Sequence, residues 1–241
     1  MLASEIERLQ QNVNDVRAEI EAACAKVDRP AGSVQLVAVT KYADWPWVVQ
    51  LSALHQHFGE NRPQQLVERA SQLPRIQWHL IGQLQRNKVR QVLPEADLIH
   101  SVDSLRLLNR IQQVAAELQL KPRVLLQVNL SGEDSKSGFE SNQLLNGWAE
   151  LLAAGGNVEI AGLMTMAAAT DDPEQTRSTF RALRHLRNEL RERASDLGQP
   201  VSLSELSMGM SGDFCVAIEE GATIVRIGSR LYDGLQRSES N

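Results

Sequence analysis

The sequence predicts an α/β protein in which one parallel sheet closes into a (β/α)8 barrel, the TIM barrel. Eight short apolar runs of strand length alternate with stretches whose apolar residues recur at helical spacing. Strand and helix in alternation predict parallel strands, and eight such units are the number that closes a barrel. A doubly wound open sheet is the alternative fold, because it uses the same unit. The 241 residues contain no linker-like stretch or composition shift, so we expect one domain over 1–241.

The individual elements follow from the same pattern. Segment 1–28 carries apolar residues at heptad spacing, which predicts an extra amphipathic helix before the first strand. That spacing also fits a coiled coil, but packing of this helix on the barrel is favoured. Helical spacing is clearest at 105–118 and in the charged stretch 173–195, whose interleaved arginines and acidic residues indicate a solvated face. The predicted strands are 34–40, 57–59, 76–82, 97–102, 123–130, 158–166, 203–208 and 222–228.

The composition excludes several classes of protein. No apolar run approaches the ~20 residues of a membrane span, and the first residues do not resemble a secretory signal. A net charge of -5 gives no support to a nucleic-acid partner. Cys24 and Cys215 are too few for a disulfide framework, and neither has a second ligand at metal-binding spacing. We therefore expect a cytoplasmic protein that binds neither nucleic acid, membrane nor metal.

Polar residues follow the predicted strands at the end where barrels place their functional groups. They include Lys41, Asn61, Gln83, His100, Asn129, Thr165, Ser207 and Arg226, and we expect them to face one mouth. His55 and His57 stand at a strand entry, at the opposite end, and His79 lies inside the third strand, where a core role is expected.

Lys41 is the strongest candidate among these residues. It follows six residues dominated by Val, Leu and Ala, and we expect an amine held there to be partly desolvated, which favours its nucleophilic form toward carbonyls. The alternative is a lysine that extends to solvent. Because only five of the 25 basic residues are lysines, a lysine at a strand end favours the functional interpretation.

Two glycine–serine turns indicate a site for an anion. The string SMGMSG (207–212) precedes a predicted helix that includes Val216 to Glu219, and the string IGS (227–229) precedes the predicted final helix. Backbone N–H groups at such turns favour phosphate, and the loops after strands seven and eight are its usual position in barrels. A lysine facing a phosphate site suits either pyridoxal phosphate or a sugar-phosphate aldolase, and the residues alone leave both open.

Six strings in order carry a resemblance to a known family: VAVTK (37–41), FGEN (58–61), WHLIGQLQRNK (78–88), QVNLSGEDSKSGF (127–139), GLMTM (162–166) and LSMGMSGDFCVAIEEGATIVRIGS (206–229). The chain resembles the pyridoxal phosphate homeostasis protein family, the proline synthase co-transcribed group, from about residue 5 to 234. The resemblance implies a barrel like the alanine racemase N-terminal domain, of the fold type III pyridoxal-phosphate proteins.

The resemblance also implies roles for seven residues. It implies that Lys41 holds the cofactor as an internal aldimine and that Arg226 faces the pyridine nitrogen. The phosphate ligands would be Ser211, Gly228 and Ser229, with Asn61 lining the ring and Met210 as backbone support. The chain departs from the family pattern in 62–65, at Gln83 and Arg86, and in SRLYDG near its end, which affects the mouth and not the lysine.

The same residues bear on whether the chain is an enzyme. An arginine does not hand over a proton, so a ring held by Arg226 is a weak electron sink. Two-domain racemases of this fold take a catalytic tyrosine from a second domain, for which this chain has no residues left. We therefore expect a monomeric carrier of pyridoxal phosphate in vitamin B6 homeostasis, without robust catalysis, that supplies apo-enzymes and affects amino-acid and keto-acid metabolism. The alternatives are a single-domain amino-acid racemase and a partner-binding protein with a vestigial site.

Overall fold

The structure is a computed structural model that describes residues 2–130 and 137–235. In these ranges eight parallel strands form a closed barrel in the order β1 to β8, because β8 pairs with β1 from Gln35↔Ile224 to Ala38↔Ile227. The predicted barrel is confirmed, and the doubly wound alternative is wrong. The strands are β1 (Gln35–Val39), β2 (His57–Glu60), β3 (Gln77–Leu80), β4 (Leu98–Val102), β5 (Arg123–Gln127), β6 (Glu159–Met164), β7 (Glu205–Ser207) and β8 (Ile224–Ile227).

The helices of the described ranges surround this barrel. They are α1 (Ala3–Ala25), α2 (Trp45–Ser52), α3 (Pro63–Gln72), α4 (Val89–Val92), α5 (Leu105–Leu118), α6 (Ser141–Asn146), α7 (Trp148–Gly155), α8 (Arg177–Asp196) and α9 (Phe214–Glu219). Single 3-10 turns cover Ala31–Ser33, Arg86–Lys88, Pro173–Thr176 and Ser229–Tyr232. The chain after β8 therefore forms one 3-10 turn where the sequence predicts a final helix. None of the helices in the described ranges has the length and apolarity needed to cross a bilayer.

Helix α1 packs on the body of the protein through its heptad face. Leu9, Val13 and Val16 are at most 1% exposed. The helix contacts α2, α9 and the turn after β8, and the amide of Asn12 donates to the carbonyls of Leu231 (3.1 Å) and Asp233 (2.9 Å). The apolar stripe that suggested a coiled coil is thus covered within the chain, and the same contacts fix the segment that follows β8.

Helix α8 is less solvent-directed than its charge pattern predicts. Arg177, Arg181 and Arg184 all donate to the carboxylate of Glu220, at 2.9 to 3.3 Å, although Glu220 is only 4% exposed. These bonds lower the pKa of Glu220, with Arg181 the strongest contributor. These arginines connect α8 to the end of α9, while Arg181, Arg191 and Arg193 are exposed, as the charge pattern predicts.

The sheet separates two apolar regions. Residues that point outward from the strands pack with the helices in one large core, whereas a small cluster fills the barrel interior. The interior cluster consists of Val37, Leu98, Leu125, Ala161, Met164 and Ile224. Polar side chains occupy the remaining interior positions, and those nearest the C-terminal strand ends form the site described next.

Candidate cofactor-binding site

A cavity of about 720 Å³ opens at the C-terminal ends of the strands. Its walls come from β1, β8 and the loops that follow β1, β2, β3, β6, β7 and β8, so they converge because all eight strands are parallel. All seven predicted site residues lie on it, namely Lys41, Asn61, Met210, Ser211, Arg226, Gly228 and Ser229. The structure thus brings together residues that are up to 188 positions apart in the sequence, as Lys41 and Ser229 are.

The β7–β8 side of the cavity is built from two tight turns. The backbone N–H of Gly228 donates to the hydroxyl of Ser211 over 3.2 Å, which brings two of the three predicted phosphate ligands together. Gly209 has a φ of +93°, and a Cβ there would lie 2.6 Å from the Cβ of Ala217, so only glycine fits this turn. Asp213 accepts from the N–H of Met210 at 2.6 Å and closes the loop.

Arg226 forms the floor of the cavity on the same side. It is 4% exposed and donates to the hydroxyl of Ser207 (2.6 Å) and to the carbonyl of Thr165 (3.0 Å). Burial lowers the pKa of Arg226 to about 10, so the guanidinium is still a cation at neutral pH. The two bonds use two of the five N–H donors of a guanidinium, and the cavity lies against the group.

Lys41 stands at the end of the strand that neighbours β8, in the turn that follows β1. Thr40 is buried, but the side chain of Lys41 is exposed, with its Nζ 4.8 Å from the centre of the Tyr42 ring. The expected desolvation of this amine is therefore wrong, because β1 ends at Val39 and the lysine extends over the open cavity. Its placement next to the cavity is what the sequence predicts.

Two residues predicted to face the mouth lie deeper, in a hydrogen-bonded column inside the barrel. The hydroxyl of Ser207 accepts from Arg226 and lies 2.9 Å from Nδ1 of His100, whose Nε2 lies 2.9 Å from Nδ1 of His79. Nε2 of His79 lies 3.4 Å from Nδ1 of His57, at the opposite end of the barrel. The placement of His100 and Ser207 at the mouth was wrong, because the pleat turns these side chains inward below the cavity.

Arg226 fixes the first hydrogen bond of this column. Because a guanidinium only donates, the hydroxyl of Ser207 accepts from it, and the proton of that hydroxyl is available to Nδ1 of His100. The amide nitrogen of Gln35 lies 3.3 Å from Nε2 of His79, so this ring nitrogen faces a donor at the other end of the column. Burial favours neutral rings, since it lowers the pKa of His79 to about 3 and that of His100 well below its usual range.

Three residues near the cavity receive no role from the sequence. Glu60 and Arg69 form a buried ion pair behind the Lys41 turn, and the pairing joins β2 to α3, which residue spacing does not show. Tyr232 lines the cavity with its ring stacked on Trp47, 5.8 Å between centres, and its hydroxyl has no partner among the described residues. Tyr232 belongs to the string SRLYDG, and the departure of this string from the family pattern is the sequence feature that could have pointed to it.

Comparison with known proteins places this site in a family. The description "Alanine racemase, N-terminal domain" matches residues 7–236. A pyridoxal phosphate homeostasis protein from Aquifex aeolicus is 38% identical over 226 residues, covering 92% of this chain and 96% of the relative. The chain belongs to the pyridoxal phosphate homeostasis protein family. The resemblance drawn from six sequence strings is confirmed, although 131–136 of one string lies outside the described residues.

Solved structures agree with this assignment. PipY from Synechococcus elongatus, solved with pyridoxal phosphate bound, is 35% identical with a TM-score of 0.76, over 88% of this chain and 99% of that chain. An alanine racemase from Clostridium difficile is 16% identical with a TM-score of 0.70, over 97% of this chain and 58% of that chain. The latter likeness shows the shared barrel fold alone.

The groups around the cavity fit pyridoxal phosphate by their chemistry. That cofactor carries an aldehyde, a phosphate and a pyridine nitrogen. The cavity presents an amine from Lys41, the hydroxyl of Ser211 beside the turn at Gly228 and Ser229, and a buried guanidinium from Arg226. Each functional group of the cofactor thus has a protein group of matching chemistry, and the unpartnered Tyr232 hydroxyl offers one more polar contact.

Proposed function

We propose that this chain binds pyridoxal 5′-phosphate in the cavity, bonds it covalently through Lys41, and serves vitamin B6 homeostasis as a carrier. The observation that carries the proposal is the convergence of an amine, a buried guanidinium and a glycine–serine cradle on one cavity. When bound, the cofactor supplies an aldehyde that condenses with amines and a ring that stabilises carbanions. The PipY structure with pyridoxal phosphate, from the same fold, supports the choice of ligand.

Different residues of the cavity would contact the phosphate, the ring and the aldehyde of the cofactor. Ser211, Gly228 and Ser229 would bind the phosphate through a hydroxyl and backbone N–H groups, with Met210 supporting that turn. Arg226 would donate a hydrogen bond to the ring nitrogen and keep its own proton, and Asn61 would line the ring. Lys41 would provide the amine. These roles place the cofactor between β1 and β8, where the strands are neighbours.

The same groups favour a carrier over a racemase. Racemisation needs an acid and a base that exchange protons on the two faces of the substrate. Arg226 does not exchange a proton, and burial keeps the histidines of the column behind it neutral. Burial raises the pKa of Tyr232, which makes its hydroxyl a poor base.

The proposal includes the setting in which the carrier works. We propose a cytoplasmic monomer that supplies pyridoxal-phosphate-dependent apo-enzymes. Burial of the heptad face of α1 within the chain supports the monomer. The exposed rim of the cavity, which includes Tyr42, Met166 and Met210, leaves the site open to a recipient.

A transfer assay tests the carrier role. The chain loaded with pyridoxal phosphate is mixed with an apo-enzyme that requires the cofactor, and activity is compared with free cofactor at equal concentration. We expect full reactivation, and no reactivation would contradict a carrier. Incubation of the loaded chain with alanine in heavy water tests the racemase alternative, for which deuterium at the alpha carbon would be the supporting result.

A further inference from the structure

The buried pair Glu60–Arg69 has a geometry directed at the Lys41 turn. The guanidinium of Arg69, on α3, donates to the carbonyl of Thr40 over 2.8 Å and to the carbonyl of Ala43 over 3.2 Å. These two carbonyls stand on either side of Lys41 in the sequence. One side chain therefore fixes the backbone before and after the lysine.

Glu60 completes the arrangement from β2. Its carboxylate is fully buried and accepts from both Arg69 and the hydroxyl of Thr40. The other carboxylate oxygen accepts from the backbone N–H of Asn61 over 3.3 Å, and Asn61 is itself on the cavity wall. Glu60 thus connects the lysine turn, the arginine and the next cavity residue.

A buried ion pair is an inefficient way to stabilise a fold. Removing two charges from water costs several kcal/mol per ion, and apolar replacements of similar volume are often as stable or more so. The hydrogen bonds of Arg69 to backbone carbonyls around Lys41 give the pair a second use, because they define where the lysine side chain starts. The ring of Trp45, 5.6 Å from the guanidinium carbon, restricts Arg69 further.

We propose that Arg69 and Glu60 are positioning residues that hold the Lys41 turn so that its amine reaches the aldehyde of pyridoxal phosphate. The inference rests on the proposed function. In the step concerned, the nitrogen of Lys41 forms a C=N bond with the aldehyde carbon, and the aldehyde oxygen leaves as water with the two amine hydrogens. Neither Arg69 nor Glu60 exchanges a proton in this step.

Two ligands separate positioning from folding. Pyridoxal phosphate can bond to Lys41, whereas pyridoxine 5′-phosphate has an alcohol in place of the aldehyde and binds only through its ring and phosphate. For Arg69→Met we expect formation of the absorbance band of the lysine-bound cofactor, at roughly 420 nm, to slow about 10- to 100-fold. The dissociation constant of pyridoxine 5′-phosphate should stay within about twofold, because the proposed contacts to its phosphate and its ring nitrogen lie on the β7–β8 side.

Two further variants serve as controls. Arg69→Lys keeps the charge and part of the hydrogen bonding, so we expect a smaller slowing than in Arg69→Met, and it serves as the test if Arg69→Met does not fold. Arg184→Met removes one partner of the buried Glu220. Neither residue lines the cavity, so this variant should leave the binding of both ligands unchanged. Circular dichroism and thermal unfolding of each variant show whether it is folded.

The outcomes distinguish the inference from the proposed function. A selective slowing with pyridoxal phosphate supports positioning. If Arg69→Met weakens the binding of both phosphates equally, or changes neither the rate of band formation nor the dissociation constant, the inference is overturned. The pair would then only stabilise the fold. If the unmodified chain bonds no pyridoxal phosphate, the proposed function fails instead.

Discussion

The two sides of the cavity are supported in different ways. Behind Lys41, on the β1–β2 side, lies a buried ion pair between Glu60 and Arg69. Behind the β7–β8 side, the charge of Arg226 is held by a hydroxyl, a carbonyl and neutral histidines. Removing one member of a buried ion pair costs more free energy than removing one neutral hydrogen-bonding partner, because it leaves an uncompensated buried charge. The side that carries the reactive amine should therefore be the more sensitive to substitution.

The largest expected effect on stability comes from the β1–β2 side. Glu60→Ala leaves the Arg69 guanidinium buried without its carboxylate, and we expect the free energy of unfolding to fall by about 3 to 5 kcal/mol. Urea unfolding followed by circular dichroism measures this. Replacing Glu60 by Leu and Arg69 by Met together should recover part of the lost stability. If Glu60→Ala leaves the free energy of unfolding unchanged, the β1–β2 side is not the more sensitive of the two.

The neutral column behind the β7–β8 side predicts a pH dependence. In the column the folded-state pKa of His79 is about 3, and outside it that of His55, whose ring bonds the carbonyl of Leu36, is about 4. Both lie below the ordinary 6.5, because burial disfavours the charged rings. At pH 7 these histidines are mostly neutral in the folded and in the unfolded chain, so they do not lower the stability there. As the pH falls below 6.5 the unfolded chain takes up protons that the folded chain does not, so stability falls by about 1.4 kcal/mol per pH unit for each histidine.

Unfolding free energies between pH 7 and 5 test this pH dependence. In the variant His79→Leu the slope of unfolding free energy against pH should be smaller by the contribution of one histidine. A slope identical to that of the unmodified chain would show that His79 does not remain neutral in the folded state.

Arg226 should matter for cofactor retention, but less than Lys41. Arg226→Met would remove the hydrogen bond and the charge that we propose for the ring nitrogen. We expect release to accelerate about 10- to 100-fold, as loss of a charge-assisted bond of ~1.5 to 3 kcal/mol implies. Lys41→Ala removes the covalent bond and should release the cofactor faster still. Release rates measured by dilution into an apo-enzyme decide the order, and equal rates in both variants would contradict it.

The smallest effect is expected at Ser207. Ser207→Ala removes an acceptor from Arg226 and a donor to His100, so we expect a loss of about 1 to 3 kcal/mol in unfolding free energy. A loss as large as that of Glu60→Ala, measured under the same conditions, would show that the two sides are supported equally.

The sequence predicts the barrel well, because apolar runs and helical spacing are local properties and the alternation of strand and helix predicts parallel pairing. Helix α5 has the predicted bounds, Leu105–Leu118, and every predicted strand has its counterpart. All seven proposed cofactor residues lie on one cavity because parallel strands bring their C-terminal loops together, although their binding roles stay predictions.

The errors concern depth and tertiary pairing. Apolar periodicity shows that His100 and Ser207 lie on strands, but the level at which each side chain enters the barrel depends on the register between strands. The exposure of Lys41 depends on where β1 ends, and the Glu60–Arg69 pair depends on how α3 docks on β2. These features arise only when distant segments come together.

The central claim is that Lys41 bonds pyridoxal phosphate. The loaded chain is treated with borohydride, which reduces the C=N bond and makes the attachment permanent, and the modified peptide is identified by mass spectrometry. We expect the phosphopyridoxyl group on Lys41 at one equivalent per chain, and none on the Lys41→Ala variant. Modification of another lysine in preference to Lys41, or no modification of the unmodified chain, would contradict the account.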